Sequence, residues 1–117
     1  MSEYDFIIVG AGSAGCVLAN RLSEDGRYSV LLLEAGGSDL NFWIWMPIGY
    51  GKTFYRRSVN WMYHTEPEPN LDGRISYWPR GKVMGGSSSI NAMVYIRGQA
   101  GDFEDWKAMG NPGWGWD

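Results

Sequence analysis

A chain of 117 residues, 44% hydrophobic and 20% charged, has the length and composition of one globular domain with a moderate core. A net charge of -3 and a pI near 5.0 exclude the concentrated basic surface that nucleic acid requires, and Arg56-Arg57 is too short to supply one. No apolar run approaches the roughly 18 residues needed to span a bilayer, so no integral membrane segment is expected.

From the N-terminus, Phe6-Ile7-Ile8-Val9 is a short run of β-branched and aromatic residues that ends at a glycine, the pattern of a buried parallel strand. Ala14, Val17, Leu18 and Leu22 then recur at helical spacing, with Ser13 placed to cap the first turn and Gly26 where such a helix would stop. Residues 28–33 give a second apolar strand that closes on Glu34, completing a βαβ unit.

Gly10-Ala11-Gly12-Ser13-Ala14-Gly15 joins the first strand to the helix. Gly10 permits the tight turn, Gly12 lets a pyrophosphate reach the main chain without meeting a Cβ, and Gly15 lets the helix pack close to the strand. Free N–H groups near Ser13 and Ala14, at the positive end of the helix dipole, would hold the phosphates. Glu34 follows Gly15 by 19 positions, the place of an acid that accepts from a ribose hydroxyl and disfavours a 2′-phosphate. A lone GxGxxG is often only a glycine-rich turn; strand, motif, helix, strand and acid in that order point to a dinucleotide site. The loop that starts at Ala35 leaves the carboxyl end of the second strand, and is expected at the adenosine end of the ligand.

The one cysteine, Cys16, cannot form an internal disulfide and reads as a small core residue. With no basic region, apolar core and cleavage site at the N-terminus, a signal peptide is not expected, and the location predicted is cytoplasmic. Residues 42–51 hold Phe42, Trp43, Trp45, Met46, Ile48 and Tyr50, too apolar for a solvated loop, while Pro47, Gly49 and Gly51 break any long element. Residues 59–65 predict a strand with Trp61 and Tyr63 on one face, and residues 75–78 its returning partner across a Leu71-Asp72-Gly73-Arg74 turn. His64, the only histidine, has no second histidine to form an acid-base pair and reads as structural.

The second informative stretch runs from Pro79-Arg80-Gly81-Lys82-Val83-Met84 through Gly85-Gly86-Ser87-Ser88-Ser89-Ile90-Asn91 to Gly98. Two glycines before three serines allow a backbone to come close to a ligand and predict a helix start rich in hydroxyl and N–H donors. On that helix Asn91, Val94 and Tyr95 would share a face, Asn91 meeting a polar ligand edge and Val94 its ring. A capped core helix accounts for the same residues. Residues 101–106 predict a short helix whose Asp102, Glu104 and Asp105 complement the helix dipole rather than bind a metal. Asp117 has the character of a helix N-cap.

Taken together, the GxGxxG unit, Thr65-Glu66-Pro67, Pro79-Arg80-Gly81-Lys82 with Gly85-Gly86-Ser87-Ser88-Ser89-Ile90-Asn91, and Tyr95-Ile96-Arg97-Gly98 resemble the glucose-methanol-choline (GMC) oxidoreductases over nearly the whole chain. The resemblance implies an α/β fold: a Rossmann-like FAD-binding βαβ unit of a doubly wound sheet, incomplete here, with an added β-hairpin. It divides residues 1–117, the N-terminal part of an FAD-binding domain, into the βαβ unit (1–37), an aromatic loop and hairpin (38–80) and a flavin-side segment (81–117). It implies FAD as cofactor and oxidation of an alcohol by hydride transfer to it. Ser13 and Ala14 would then meet the pyrophosphate and Glu34 and Ala35 the adenosine ribose; Arg80, Gly81, Val83, Gly86, Ser87, Asn91, Ala92, Met93 and Val94 would lie toward the flavin. Some relatives attach flavin through a histidine immediately before the asparagine; Ile90 stands there, so binding is expected to be non-covalent. The family's catalytic histidine and its partner lie far along a longer chain and match nothing here, so catalytic residues and the substrate domain are expected from the remainder of the polypeptide or a second chain. Two readings compete. A nicotinamide-dependent dehydrogenase explains residues 10–34 but not 85–91, and a non-catalytic nucleotide-binding module fits the lack of catalytic residues.

Overall fold

The computed structural model describes residues 3–116; the N-cap reading of Asp117 lies outside the described residues. Strand β1 (Phe6–Val9) and strand β2 (Val30–Leu33) pair in parallel with Phe6 opposite Val30 and Val9 opposite Leu33, and helix α1 (Ser13–Ser23) crosses between them. The pair is tied at its start by Asp5: Ser29 donates its N–H (2.8 Å) and hydroxyl (2.7 Å) to Asp5 Oδ2. At the other end the Gly10 N–H donates to the Leu33 carbonyl at 2.7 Å. Helix α1 comes close to β1 only because residue 15 is glycine. A Cβ there would overlap the Gly10 carbonyl and stand 3.4 Å from Ile8 Cγ2. Capping differs from expectation: Gly12 is the N-cap and no side chain, Ser13 included, caps the helix.

A parallel sheet is normally covered on both faces. Here Ile7 and Val9 are 61% and 84% exposed, so the two strands form an incomplete layer. The buried core lies instead between the loops: Val59, Val83 and Ile90 pack together, and Ile44 rests against them. Ile44 belongs to helix α2 (Phe42–Trp45), whose start is capped by Asn41 accepting from the Trp43 N–H. A short 3-10 turn (Pro47–Gly49) and helix α3 (Tyr50–Thr53) follow, so the aromatic segment breaks into pieces at the predicted glycines and proline and covers the core.

The hairpin forms, but its first strand is shorter than predicted. Strand β3 is only Tyr63–His64, antiparallel to β4 (Tyr77–Trp78). The reason is local: Asn60 Oδ1 accepts from the Met62 N–H at 2.9 Å, and Met62 adopts φ 58. Such a side-chain turn competes with a ladder. The same device ends the second glycine motif. A 3-10 helix covers Gly86–Ile90; Asn91 Oδ1 then accepts from the Met93 N–H at 2.7 Å, Asn91 Nδ2 donates to the Ser88 carbonyl, and Met93 adopts φ 55. The chain beyond has no regular structure up to Gln99, so Asn91, Val94 and Tyr95 do not share a helix face as predicted. Helix α4 (Ala100–Ala108) follows, its start closed by a capping box between Gln99 and Asp102. No helix among the described residues is long and apolar enough to cross a membrane.

Candidate functional site

Parallel pairing places the ends of β1 and β2 side by side, and with them the loops at residues 10–12 and 34–37. Helix α1 begins between these loops. Its first internal bond is from Cys16 N–H to the Gly12 carbonyl, so among the described residues the N–H groups of Ser13, Ala14 and Gly15 have no acceptor. No acidic residue sits in that first turn to neutralise the dipole. A Cβ on Gly12 would meet no protein atom within 4 Å. The protein's own packing therefore does not demand a glycine there, and the space it leaves opens on the cleft.

Glu34 joins the two loops. Its Oε2 accepts from the Ala11 N–H and its Oε1 from the Gly36 N–H, both at 2.8 Å. Each oxygen keeps a further lone pair for a ligand hydroxyl. Ala11 is fully buried, and its carbonyl accepts from the Gly85 N–H at 2.7 Å. This bond and that from the Met84 N–H to the Gly37 carbonyl (2.9 Å) dock residues 83–85 beside the dinucleotide loop, as parallel bridges of Gly12 with Gly85 and Gly37 with Val83. On the far side the Lys82 N–H donates to the Val59 carbonyl and the Trp61 N–H to the Arg80 carbonyl, both at 2.8 Å. The second glycine motif is thus stitched between the βαβ unit and residues 59–61.

Between them lies a cleft of about 630 Å³. One wall is Val9, Gly10, Gly12, Leu33, Glu34 and Ala35; the other is Trp61, Tyr63, Arg80, Gly81, Gly86 and Ser87. A second opening of about 280 Å³ shares Arg80 and Ser87 with the first and reaches Ile90 and Asn91. Asn91 and Met93 also line a third of about 140 Å³ against Trp43 and Tyr50. So Gly10, Gly12, Glu34, Ala35, Arg80, Gly81, Gly86 and Ser87 come together around one cleft, with Ser13 and Ala14 at the open helix end and Gly15 beneath it. Val83 is fully buried and serves as core. Ala92 and Val94 are exposed and line none of these openings.

Trp61 and Tyr63 were not among the predicted site residues. Their rings stack at 5.8 Å and 6°, and Lys82 Nζ sits 4.6 Å over Trp61. The signal was present in their expected placement on one strand face. His64 packs against Tyr77 at 5.1 Å and does not line the cleft.

The profile of the GMC oxidoreductases matches residues 4–117. The chain belongs to the GMC oxidoreductase family. Among curated relatives, it is 58% identical over 112 residues to an oxygen-dependent choline dehydrogenase of Vibrio vulnificus, covering 96% of this chain and 20% of that protein. It is 56% identical over 113 residues to an alcohol dehydrogenase [acceptor] of Pseudomonas putida, covering 97% of this chain and 20% of that protein. The crystal structure of pyridoxine 4-oxidase from Mesorbium loti superposes with a TM-score of 0.78 at 45% identity, over 98% of this chain and 23% of that one. The chain thus spans about a fifth of the length of the curated relatives it matches. In this GMC oxidoreductase the fold is that of the family's FAD-binding region, present as an incomplete Rossmann-like unit.

Proposed function

We propose that this chain is the FAD-binding N-terminal portion of a flavoenzyme that oxidises a small-molecule alcohol. The observation that carries the reading is the docking of residues 83–86 onto the loop at residues 10–12, which makes one continuous cleft from two glycine motifs. A nicotinamide dinucleotide gives the second motif no role; a ligand with an adenosine at one end, a pyrophosphate in its middle and a large ring system at the other end uses both.

The residues present fit that ligand. Unpaired N–H groups of Ser13 and Ala14 at the start of α1 bind the pyrophosphate, and the missing Cβ of Gly12 admits it. Glu34 accepts from a ribose hydroxyl beside Ala35. Arg80, Gly81, Gly86 and Ser87 carry the cleft toward Asn91 and Met93, where the ring end belongs. Trp61 and Tyr63 line the same cleft with their aromatic rings. Bound FAD supplies the hydride acceptor for the alcohol carbon. Attachment is non-covalent at the position before Asn91, because Ile90 offers no nucleophile and is 3% exposed in the core. The group that takes the alcohol's proton comes from the remainder of the polypeptide or a second chain. A cytoplasmic location accompanies this reading.

The test is to purify the full polypeptide, measure flavin released by acid precipitation, and titrate stripped protein with FAD and with NADH. Stoichiometric released FAD, and bleaching of the flavin on adding primary alcohols with choline among them, is the expected result. A colourless protein that takes up no FAD overturns the reading.

A further inference from the structure

Asn60 is 1% exposed, and its side chain satisfies five groups from four segments. Its Oδ1 accepts from the Met62 N–H at 2.9 Å and the Arg80 N–H at 3.0 Å. Its Nδ2 donates to the Phe54 carbonyl at 2.7 Å, to the Tyr77 hydroxyl at 3.2 Å and, at the limit of bonding, to the Thr53 carbonyl at 3.4 Å. Tyr77 in turn donates its hydroxyl hydrogen to the same Phe54 carbonyl. The amide orientation is fixed by these partners, since its oxygen faces two backbone donors and its nitrogen faces backbone carbonyls.

The segments so joined border different parts of the cofactor groove. The Met62 bond turns the chain between Trp61 and Tyr63, the stacked wall of the cleft. The Arg80 bond holds the strand-like residues 80–81 whose far side lines the same cleft. Phe54, which lines the second opening, ends the α2–α3 aromatic segment, and that segment faces Asn91 and Met93. Asn60 itself lines none of the three openings.

We infer that Asn60 is a positioning residue for the cofactor: its acceptor side sets the wall and floor at the nucleotide end, its donor side ties them to the segment at the ring end, and so it fixes both ends of the groove in one geometry. The inference rests on the FAD reading above. Asn60→Asp separates the two functions. It keeps the oxygen that accepts from Met62 and Arg80 and replaces the donor with an oxygen that faces the Phe54 carbonyl. In that place the Met62 and Arg80 N–H groups favour the ionised carboxylate, while burial and the facing Phe54 carbonyl oxygen favour the protonated form. Protonation then restores one donor. Tyr77 is the only titratable side chain among the described residues that hydrogen-bonds to position 60.

The experiment uses the full polypeptide, stripped of flavin and titrated with FAD across a pH series, with the visible spectrum of the bound flavin recorded at each step. Asn60→Asp is expected to weaken FAD binding by about tenfold to a hundredfold at neutral pH, to regain affinity as pH falls, and to shift the flavin absorption bands; the unmodified protein shows no such recovery. Tyr77→Phe removes one acceptor of Asn60 and one donor to the Phe54 carbonyl while keeping the ring, and is expected to weaken binding about threefold to tenfold; it decides the matter if the Asp variant does not fold. Equal FAD affinity in both variants and the unmodified protein overturns the inference, as does an Asp variant that is less stable yet binds FAD equally at every pH. Failure of the unmodified protein to bind FAD instead overturns the reading on which the inference rests.

Discussion

Gly86→Ala attacks the contact on which the cleft depends. Gly86 has φ +60, and a Cβ built on it stands 2.9 Å from Gly12 Cα, closer than real Cβ atoms come to backbone. The left-handed conformation costs an ordinary residue about 1–2 kcal/mol. Relieving the overlap requires Gly86 and Gly12 to separate, and overpacking of that kind costs about 1–3 kcal/mol. The sum is about 2–5 kcal/mol against the docked arrangement. Because Gly12 and Gly86 meet where both line the cleft, the same displacement falls on the ligand, and a loss of about 1.4 kcal/mol or more weakens FAD binding at least tenfold. The assay is quenching of free FAD fluorescence on titration with the stripped full polypeptide, paired with a urea unfolding midpoint. Gly101→Ala is the control. It lies in α4, its added Cβ meets nothing within 4 Å, and no positive φ is needed there, so stability rises by up to about 1 kcal/mol with FAD affinity unchanged. If Gly86→Ala binds FAD within twofold of the unmodified protein and loses less than about 0.5 kcal/mol, the argument that this glycine is required by close approach is wrong.

Glu34→Gln leaves one backbone N–H, of Ala11 or Gly36, facing an amide donor in place of a carboxylate oxygen. Loss of one charge-assisted bond lowers stability by about 1.5–3 kcal/mol and weakens FAD binding; an unchanged unfolding midpoint would show that the loop needs no such tie. Asp5 carries a pH-sensitive contact. The Ser29 N–H and then the Ser29 hydroxyl hold its carboxyl below the ordinary value of 3.8. A lowered native value means that its stabilisation is complete above the unfolded value and is lost as pH falls through the native one. Asp5→Asn is therefore expected to flatten the acid limb of an unfolding-midpoint series below about pH 4, and an identical acid limb in the variant contradicts the assignment.

Much of the fold was legible because local chemistry and tertiary structure agree over residues 5–34. The apolar runs became β1 and β2, the spacing of Ala14, Val17, Leu18 and Leu22 became α1, and Glu34 stands at the strand end. Two of the departures share one cause. Asn60 and Asn91 each turn the backbone by accepting from the N–H two residues on, with a methionine at positive φ, and so end a regular element that side-chain periodicity alone continues. Periodicity reports which side of an element is apolar; it does not register a side chain that competes with the backbone for a hydrogen bond. Val83 illustrates a second limit. Its position in the flavin-side motif was plain, but only the threading of that motif between Gly37 and Val59 shows that its side chain goes into the core. Likewise Trp61 and Tyr63 were read as one strand face, and only the docking of Arg80 and Gly81 beside them turns that face into a cleft wall.

If two glycine motifs hold one FAD, both must lose amide exchange when it binds. Amide hydrogen exchange of the full polypeptide, compared between stripped and FAD-loaded protein, reads this out. Slowed exchange is expected in both residues 12–15 and residues 81–91 on adding FAD, with the N–H groups of Ser13, Ala14 and Gly15 among the most protected. Protection confined to residues 12–15, with residues 81–91 exchanging as in the stripped protein, contradicts it.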